Sequence, residues 1–236
     1  MKSLVSGAQR LGITLTDGQV LQFEQYQKLL LDWNQRMNLT AVRDADQIQE
    51  RHFLDSLTCS LATGDLNGLS LVDVGTGAGF PGLPLKIVYP DLQLTLVESV
   101  HKKTNFLAAV VEELELSGVQ IVARRIEEVG QDPYHREKYD WAVARAVAGL
   151  NTLVEYLLPL ARVGGHALAQ KGVSAISETA AAEKAIAILG GSPSLLHPVQ
   201  LPGREQPYYL LVIEKILATP DQYPRRVGVA AKRPLQ

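Results

Sequence analysis

The sequence predicts an α/β protein with a doubly wound, mostly parallel sheet, and three observations support this fold class. Short aliphatic runs alternate with helical stretches from about residue 69 to residue 217. The first of these runs ends in a glycine-rich turn, and the last two have no helical stretch between them. Alternation of this kind is typical of parallel strands with helices on both faces of the sheet. The final pair of strands is expected to be antiparallel.

The first 65 residues predict a helical extension. Thr16 followed by Gln19 is a capping-box pattern, and Asp44 with Gln47 offers a second helix start. Apolar side chains that recur at helical spacing are expected to pack on the main domain. They are Val20, Phe23, Tyr26, Leu30, Trp33, Ile48, Leu54, Leu57 and Leu61. The predicted division is an extension at 1–65, a main domain at 66–218 and a basic C-terminal tail at 219–236.

The main domain shows the strands and helices in order. Aliphatic runs predict strands at residues 69–74, 92–97, 119–123, 141–144, 166–170, 194–201 and 208–214. Helices are predicted at 102–116, 150–160 and 174–189, and Gly190-Gly191 ends the last of them. Another helix is expected directly after the glycine-rich turn, with Pro81 or Pro84 in its first turn, where proline is tolerated.

Composition limits the protein class. A chain of 236 residues is long enough for one α/β domain with a real core and a small extension. No apolar run approaches the ~20 residues of a membrane span, and no signal segment follows Met1, so a cytoplasmic location is expected. The single cysteine, Cys59, is expected to be a buried thiol, with no disulfide and no metal site. A monomer is the default expectation.

Charge is unevenly distributed along the chain. The net charge of −2 is not typical of nucleic-acid-binding domains, which are usually basic. Residues 222–236, however, contain four cations and no acid. The cations are Arg225, Arg226, Lys232 and Arg233. The tail is therefore either a solvated terminus or a segment that neutralises phosphates.

The glycine-rich turn is the most informative segment. Gly75, Gly77 and Gly79 alternate after a buried strand, and Asp73 precedes them. Dinucleotide sites use Gly-x-Gly-x-x-Gly and bind pyrophosphate at the helix N-terminus. S-adenosylmethionine has no phosphate and carries an ammonium group that a carboxylate such as Asp73 can bind, directly or through water. The spacing and the acid therefore predict S-adenosylmethionine as the cofactor.

The end of the second strand supports a ribose-containing ligand. Glu98, followed by Ser99, lies where an acid can accept hydrogen bonds from both ribose hydroxyls. Because NAD sites use an acid in the same way, Glu98 alone leaves both cofactors open.

The run from Asp73 to Leu85, DVGTGAGFPGLPL, resembles the glycine motif of the RsmG (GidB) family. Further segments resemble the family's motifs in the correct order, over roughly residues 20–236. They are Trp33-Asn34 with MNLT at 37–40, RHFLDSL at 51–57, His101-Lys102-Lys103, RIEE at 125–128, Ala144-Arg145-Ala146, Lys171-Gly172 and the tail from Pro224 to Leu235. The resemblance implies a class I S-adenosylmethionine-dependent methyltransferase. It also implies methylation of guanine N7 in the 530 loop of 16S rRNA, a region linked to streptomycin sensitivity.

The family resemblance also implies roles for individual residues. Gly75 and Phe80 would line the cofactor pocket, as would the neighbouring Gly77. Ile126 and Glu127 would lie against the adenine. Arg145 would lie at the mouth of the active site, beside the cofactor.

The expected chemistry needs no general base, because guanine N7 carries a free lone pair. Arg145 is predicted to position the guanine or a phosphate, since its planar fork suits both. Exposed cations are candidates for binding 16S rRNA or the small ribosomal subunit. They are Lys102, Lys103, Lys171, Arg225, Arg226, Lys232 and Arg233, with Arg43, Arg51, His52, Arg124 and Arg125 as further candidates.

Three other functions remain open from sequence. The first is a methyltransferase that acts on another RNA, a protein or a small molecule. The second is a nucleotide-binding oxidoreductase, which the glycine spacing disfavours. The third is a catalytically silent binding module, which the presence of Asp73, Glu98 and Arg145 disfavours.

Overall fold

The computed structural model describes residues 1–145, 147–201 and 208–235. Within them, seven strands form one sheet in the order β3-β2-β1-β4-β5-β7-β6. The strands are β1 (Ser70–Val74), β2 (Gln93–Val97), β3 (Val119–Val122), β4 (Tyr139–Arg145), β5 (Ala161–Lys171), β6 (Leu195–Val199) and β7 (Tyr208–Glu214). β1 to β5 are parallel, and β7 is antiparallel to both β5 and β6. The predicted sheet is confirmed.

The chain order reverses between β1 and its neighbour β4. In open α/β sheets, ligands bind beyond the carboxyl ends of the strands at such a point of reversal. The glycine-rich turn follows β1, and Arg145 is the last residue of β4. Ala146, the last residue of the Ala144-Arg145-Ala146 motif, lies outside the described residues.

The helices cover both faces of the sheet. They are α1 (Lys2–Arg10), α2 (Asp17–Met37), α3 (Ala45–Ile48), α4 (Asp55–Leu57), α5 (Ser60–Thr63), α6 (Gly82–Val88), α7 (His101–Glu113), α8 (Ile126–Gln131), α9 (Leu150–Leu157), α10 (Ala175–Ile188) and α11 (Val229–Lys232). A π-helical segment, Gln49–Leu54, joins α3 to α4.

Both predicted helix starts are confirmed. The Thr16 hydroxyl accepts a hydrogen bond from Gln19 N, and the Gln19 side chain accepts one from Thr16 N. Asp44 Oδ1 accepts from Gln47 N at 2.9 Å. The helix after the glycine-rich turn also forms, with Pro84 in its first turn.

Two apolar clusters lie on the two faces of the sheet. Leu71 belongs to one and Val72 to the other, because successive side chains of a strand point to opposite faces. The first cluster also contains Leu4 and Phe23 of the extension and Leu210 of β7. The extension therefore contributes to the core of the sheet. The boundaries at residues 65 and 218 stay predictions.

The C-terminal tail is packed, which corrects the expectation of a solvated terminus. Thr219 and Ala230 are buried, and Tyr223 is nearly so. Arg136 donates hydrogen bonds to the Tyr223 and Thr219 carbonyls at 2.6 and 2.7 Å. The tail therefore lies against the main domain.

Cys59 is fully buried, and burial raises the pKa of its thiol. No helix within the described ranges is both long and apolar enough to cross a membrane. No group of three or more His, Cys, Asp or Glu side chains in the same ranges is arranged to hold a metal ion.

Candidate active site

The turn between β1 and α6 requires its glycines. Gly75, Gly77 and Gly79 have φ values of +65°, +62° and +95°. Left-handed backbone costs other residues roughly 1–2 kcal/mol. A Cβ at Gly75 would lie 3.0 Å from a Val147 methyl, and one at Gly79 would lie 2.6 Å from the Tyr26 hydroxyl oxygen. Because these glycines have no Cβ, the backbone of the turn can pack closely against Val147 and Tyr26.

The buried carboxylate of Asp73 stabilises this turn through hydrogen bonds. Its Oδ2 accepts hydrogen bonds from the Thr76 hydroxyl at 2.6 Å and from Gly82 N at 2.8 Å. Its Oδ1 is buried and has no hydrogen-bond partner among the described residues. Burial raises the pKa of Asp73 to about 6, although the Thr76 and Gly82 donors act in the opposite direction. One carboxylate oxygen is thus left without a donor among the described residues, and Asp73 is fully buried and does not itself line the cavities described below.

A first cavity of about 440 Å³ lies beside the turn, at the carboxyl ends of the strands. It brings together five of the predicted cofactor residues, which are Gly75, Glu98, Ser99, Ile126 and Glu127. Other lining residues were not predicted to line it: Val74, Val97, Arg124, Arg125, Val147, Ala148, Tyr156, Val227, Gly228 and Ala231. The last three belong to the tail.

Glu98 joins the ends of β1 and β2. Its Oε2 accepts from Gly77 N at 3.2 Å, and its Oε1 accepts from Val100 N at 2.9 Å. Lys103 Nζ lies 3.7 Å from Oε2. Gly77, predicted as a cofactor residue, is therefore fixed to the acid that faces the cavity.

Glu127 is buried at the opposite side of the same cavity. Its Oε1 accepts hydrogen bonds from Gly228 N at 2.8 Å and, more weakly, from the Tyr156 hydroxyl at 3.5 Å. Burial and the nearby Glu127 carboxylate raise the pKa of Tyr156 to about 12. The phenol therefore keeps its proton at neutral pH and can donate it to the carboxylate.

A second cavity of about 330 Å³ contains Arg145. Arg145 Nη1 donates to Asp55 Oδ2 at 3.0 Å and to the Arg51 carbonyl at 3.2 Å. Its guanidinium lies 4.9 Å from the Phe80 ring centroid, and Phe80 stacks on His52 at 4.7 Å. These contacts hold the arginine fork in one orientation.

Phe80 lies beside Arg145, and its role in lining the cofactor pocket stays a prediction. Phe80 and Arg145 are not among the described residues that line the first cavity. Phe80 is buried, and Arg145 lies over its ring. Phe80 therefore supports Arg145, and Arg145 faces the second cavity.

His52 borders the second cavity as a neutral ring. Burial and the positive charge of Arg145 lower the pKa of His52 to about 4. Its Nε2 lies 2.7 Å from the Thr40 hydroxyl. At neutral pH this imidazole therefore adds an aromatic surface and no charge.

Lys171 lines the second cavity and is hydrogen-bonded to a residue that lines the first. Its Nζ donates to the Ala148 carbonyl at 2.6 Å and to Glu178 Oε2 at 2.8 Å, and its side chain is 10% exposed. Ala148 lines the first cavity, and Lys171 lines the second. The predicted phosphate contact at Lys171 needs correction, because its charge is already neutralised inside the protein.

Comparison with known proteins identifies the family. The profile of the GidB family, described as rRNA small subunit methyltransferase G, matches residues 19–206. The chain belongs to the GidB family. A relative from Roseiflexus castenholzii, named Ribosomal RNA small subunit methyltransferase G, is 51% identical and is aligned over 100% of both chains. One of the same name from Alkaliphilus oremlandii is 47% identical over 99% of this chain and 98% of its own.

Solved structures confirm the fold class of this GidB-family chain. An S-adenosylmethionine-dependent O-methyltransferase from Thermotoga maritima has a TM-score of 0.53 at 15% identity, covering 81% of this chain and 72% of its own. An rRNA methylase from Streptococcus thermophilus has a TM-score of 0.50 at 17% identity, covering 68% and 95%. At these identities the likeness shows the methyltransferase fold alone.

The basic residues of this GidB-family protein divide into two groups. Lys102, Arg226, Lys232 and Arg233 are exposed, and Lys103 is partly exposed. Arg225 is bonded to the fully buried carboxylate of Glu155 at 2.6 Å. The prediction that Arg225 contacts phosphate needs correction, whereas the exposed cations remain predicted RNA contacts.

Proposed function

We propose that this protein transfers a methyl group from S-adenosylmethionine to N7 of a guanosine in the 530 loop of 16S rRNA. The observation that carries the proposal is the pair of neighbouring cavities at the carboxyl ends of β1 and β4. One is lined by Gly75 of the glycine-rich turn and by two buried acids, and the other contains an arginine fork held in place. The names of the relatives and the family support small-subunit rRNA as the substrate.

The residues of the first cavity fit S-adenosylmethionine. A volume of about 440 Å³ lies in the usual range for small-molecule sites. Glu98 and Ser99 suit a ribose diol. Asp73 Oδ1, which has no hydrogen-bond partner among the described residues, suits an ammonium group or a bridging water. Ile126 and Glu127 offer an apolar surface and a polar edge for adenine. When bound, the cofactor supplies an electrophilic methyl group on its sulfonium.

The residues of the second cavity are proposed to hold the target base. Arginine commonly binds guanine through O6 and N7. Because N7 must stay free to accept the methyl group, Arg145 is expected to bind O6 or a flanking phosphate. The neutral His52 removes no proton, and none has to be removed from N7. The protein's contribution is therefore to align the reacting atoms and exclude water.

The exposed cations are proposed to bind the RNA backbone. Lys102 and Lys103 begin α7, directly after Glu98, and Arg226, Lys232 and Arg233 lie on the tail beside the same cavity. Their charges can neutralise phosphates around the mouth of the site although the net charge of the protein is −2. The expected partner is 16S rRNA or the small ribosomal subunit.

The proposal predicts methyl transfer to small-subunit RNA. Radiolabelled S-adenosylmethionine should label guanine N7 in the 530 loop when the substrate comes from a strain that lacks this protein. The label should be absent when the substrate comes from a strain that contains it, because the position is already methylated. If the protein binds the cofactor but no small-subunit RNA is labelled, the substrate assignment is wrong.

The raised pKa of Asp73 predicts a pH dependence of cofactor binding. With a pKa of about 6, the carboxylate is mostly ionised at pH 7 and mostly protonated at pH 5. Affinity for S-adenosylhomocysteine should therefore fall by up to about 10-fold between pH 7 and pH 5, as the charge that attracts the ammonium is lost. Calorimetric titration measures this affinity, and Asp73→Asn should bind weakly with a flatter pH profile. Identical pH profiles for the two proteins would remove Asp73 from ammonium binding.

A further inference from the structure

Residues 224–233 form a strap that closes one side of the first cavity. Val227, Gly228 and Ala231 contribute to the cavity lining, although none of them belongs to the glycine-rich turn or to a strand end. Ala230 of the same segment is fully buried against the domain. The Thr152 hydroxyl donates to its carbonyl at 3.2 Å. The strap is therefore part of the site.

Arg225 anchors the strap to α9. The Glu155 carboxylate has no exposed surface and accepts hydrogen bonds from Arg225 N, Nε and Nη2 at 2.8, 2.9 and 2.6 Å. A buried carboxylate strongly requires such a partner. Arg225 Nη2 also donates to the Arg233 carbonyl at 2.8 Å. One guanidinium thus holds both ends of the strap.

The strap also orients an acid of the cavity. Gly228 N donates to Glu127 Oε1 at 2.8 Å, and Gly228 has a φ of +77°, which favours glycine. Among the described residues, the other donor to this carboxylate is Tyr156, at the longer distance of 3.5 Å. Displacing the strap would therefore remove the shorter of the two bonds and open one side of the cavity.

We infer that Arg225 is a positioning residue for cofactor binding, which acts through Glu155 and the strap. The inference rests on the proposed function, because it requires the first cavity to hold the cofactor. Loss of the anchor should raise the KM for the cofactor and leave kcat little changed, since Arg145 and the second cavity lie apart from the strap. The tail residue that sequence assigns to RNA is thereby assigned to the cofactor site.

The test compares Arg225→Gln with Arg226→Gln. Both variants remove one positive charge from neighbouring positions, but Arg226 is exposed and Arg225 is paired with Glu155. Calorimetric titration with S-adenosylhomocysteine in the absence of RNA should show roughly 10-fold or more weaker binding for Arg225→Gln, because loss of the charge-assisted hydrogen bonds lowers the fraction of molecules whose strap is in place to bind the ligand. Arg226→Gln should bind within about 2-fold of wild type. Arg225→Lys should be intermediate, because lysine keeps the charge but lacks the fork.

A second variant decides the matter if Arg225→Gln fails to fold. Ala231 is exposed and lines the cavity, so Ala231→Phe should keep the thermal unfolding midpoint while weakening S-adenosylhomocysteine binding about 10-fold or more. Ala180→Phe, the same change at an exposed position of α10 that lines neither cavity, should bind like wild type. Wild-type affinity in a folded Arg225→Gln, or in Ala231→Phe where Arg225→Gln is unfolded, overturns the inference. Failure of the wild type to bind overturns the cofactor proposal instead.

Discussion

Replacing Arg145 with alanine should reduce methyl transfer about 100-fold or more while leaving the fold intact. Arg145 is the group in the second cavity whose fork is held by Asp55, the Arg51 carbonyl and the Phe80 ring. Loss of alignment between reacting groups can cost on this order. Single-turnover transfer to small-subunit RNA measures the chemical step, and circular dichroism checks the fold.

Arg162→Ala is the matched control for this experiment. Arg162 also pairs with an aspartate, Asp140, at 2.8 Å, but it lies near the start of β5, at the amino end of the strand and away from the two cavities. Its replacement should leave transfer near wild type. Asp55→Asn should give a partial loss, because Arg145 would keep its other contacts. Near-normal transfer by Arg145→Ala would exclude Arg145 from positioning the base.

Gly79→Ala should lower the free energy of unfolding by roughly 2–5 kcal/mol. The φ of +95° costs a residue with a Cβ roughly 1–2 kcal/mol, and overpacking adds roughly 1–3 kcal/mol. The added Cβ would overlap Leu83 Cδ1 and crowd the Tyr26 hydroxyl, which donates to the Ala78 carbonyl. Urea unfolding followed by circular dichroism measures the change.

Gly12→Ala separates the two costs. Gly12 lies just after α1 with a φ of +80°, but among the described residues no atom beyond its chain neighbours lies within 4 Å of the position that its Cβ would take. Only the backbone cost of roughly 1–2 kcal/mol is therefore expected. Equal losses for the two variants would show that the packing around Gly79 relaxes without cost.

Patterns that depend on neighbouring residues could be predicted from sequence. The capping box of Thr16 and the alternating glycines after β1 act within a few residues, and both have the predicted structure. The start of β5 was placed too late. Its early residues Arg162, Val163 and Gly164 are exposed, yet Gly164 N donates to the Lys215 carbonyl at 2.7 Å. An apolar pattern cannot reveal a strand end that pairs without being buried.

Interactions between distant segments could not be predicted in the same way. Asp55 and Arg145 are separated by 90 residues, and Glu155 and Arg225 by 70. Nothing local to Arg225 distinguishes it from Arg226, because both lie in the same basic segment. Only the fold shows that one of them meets a buried carboxylate. The structure thus brings the strand-end residues Glu98 and Ser99 into one cavity, whereas it pairs the tail residue Arg225 with a buried carboxylate.

The apolar cluster shared by the extension and β7 has a consequence for the folding rate of the protein. Leu4 and Leu210 belong to one cluster, and the Tyr208 hydroxyl donates to the Thr58 hydroxyl across 150 residues of chain. Such non-local contacts stabilise the fold only after a large loop has closed. The entropy lost in closing that loop slows folding. During synthesis, the cluster that contains the apolar side chains of the extension stays incomplete until residue 212 of β7 has left the ribosome. Over that interval they are exposed to chaperones and to aggregation.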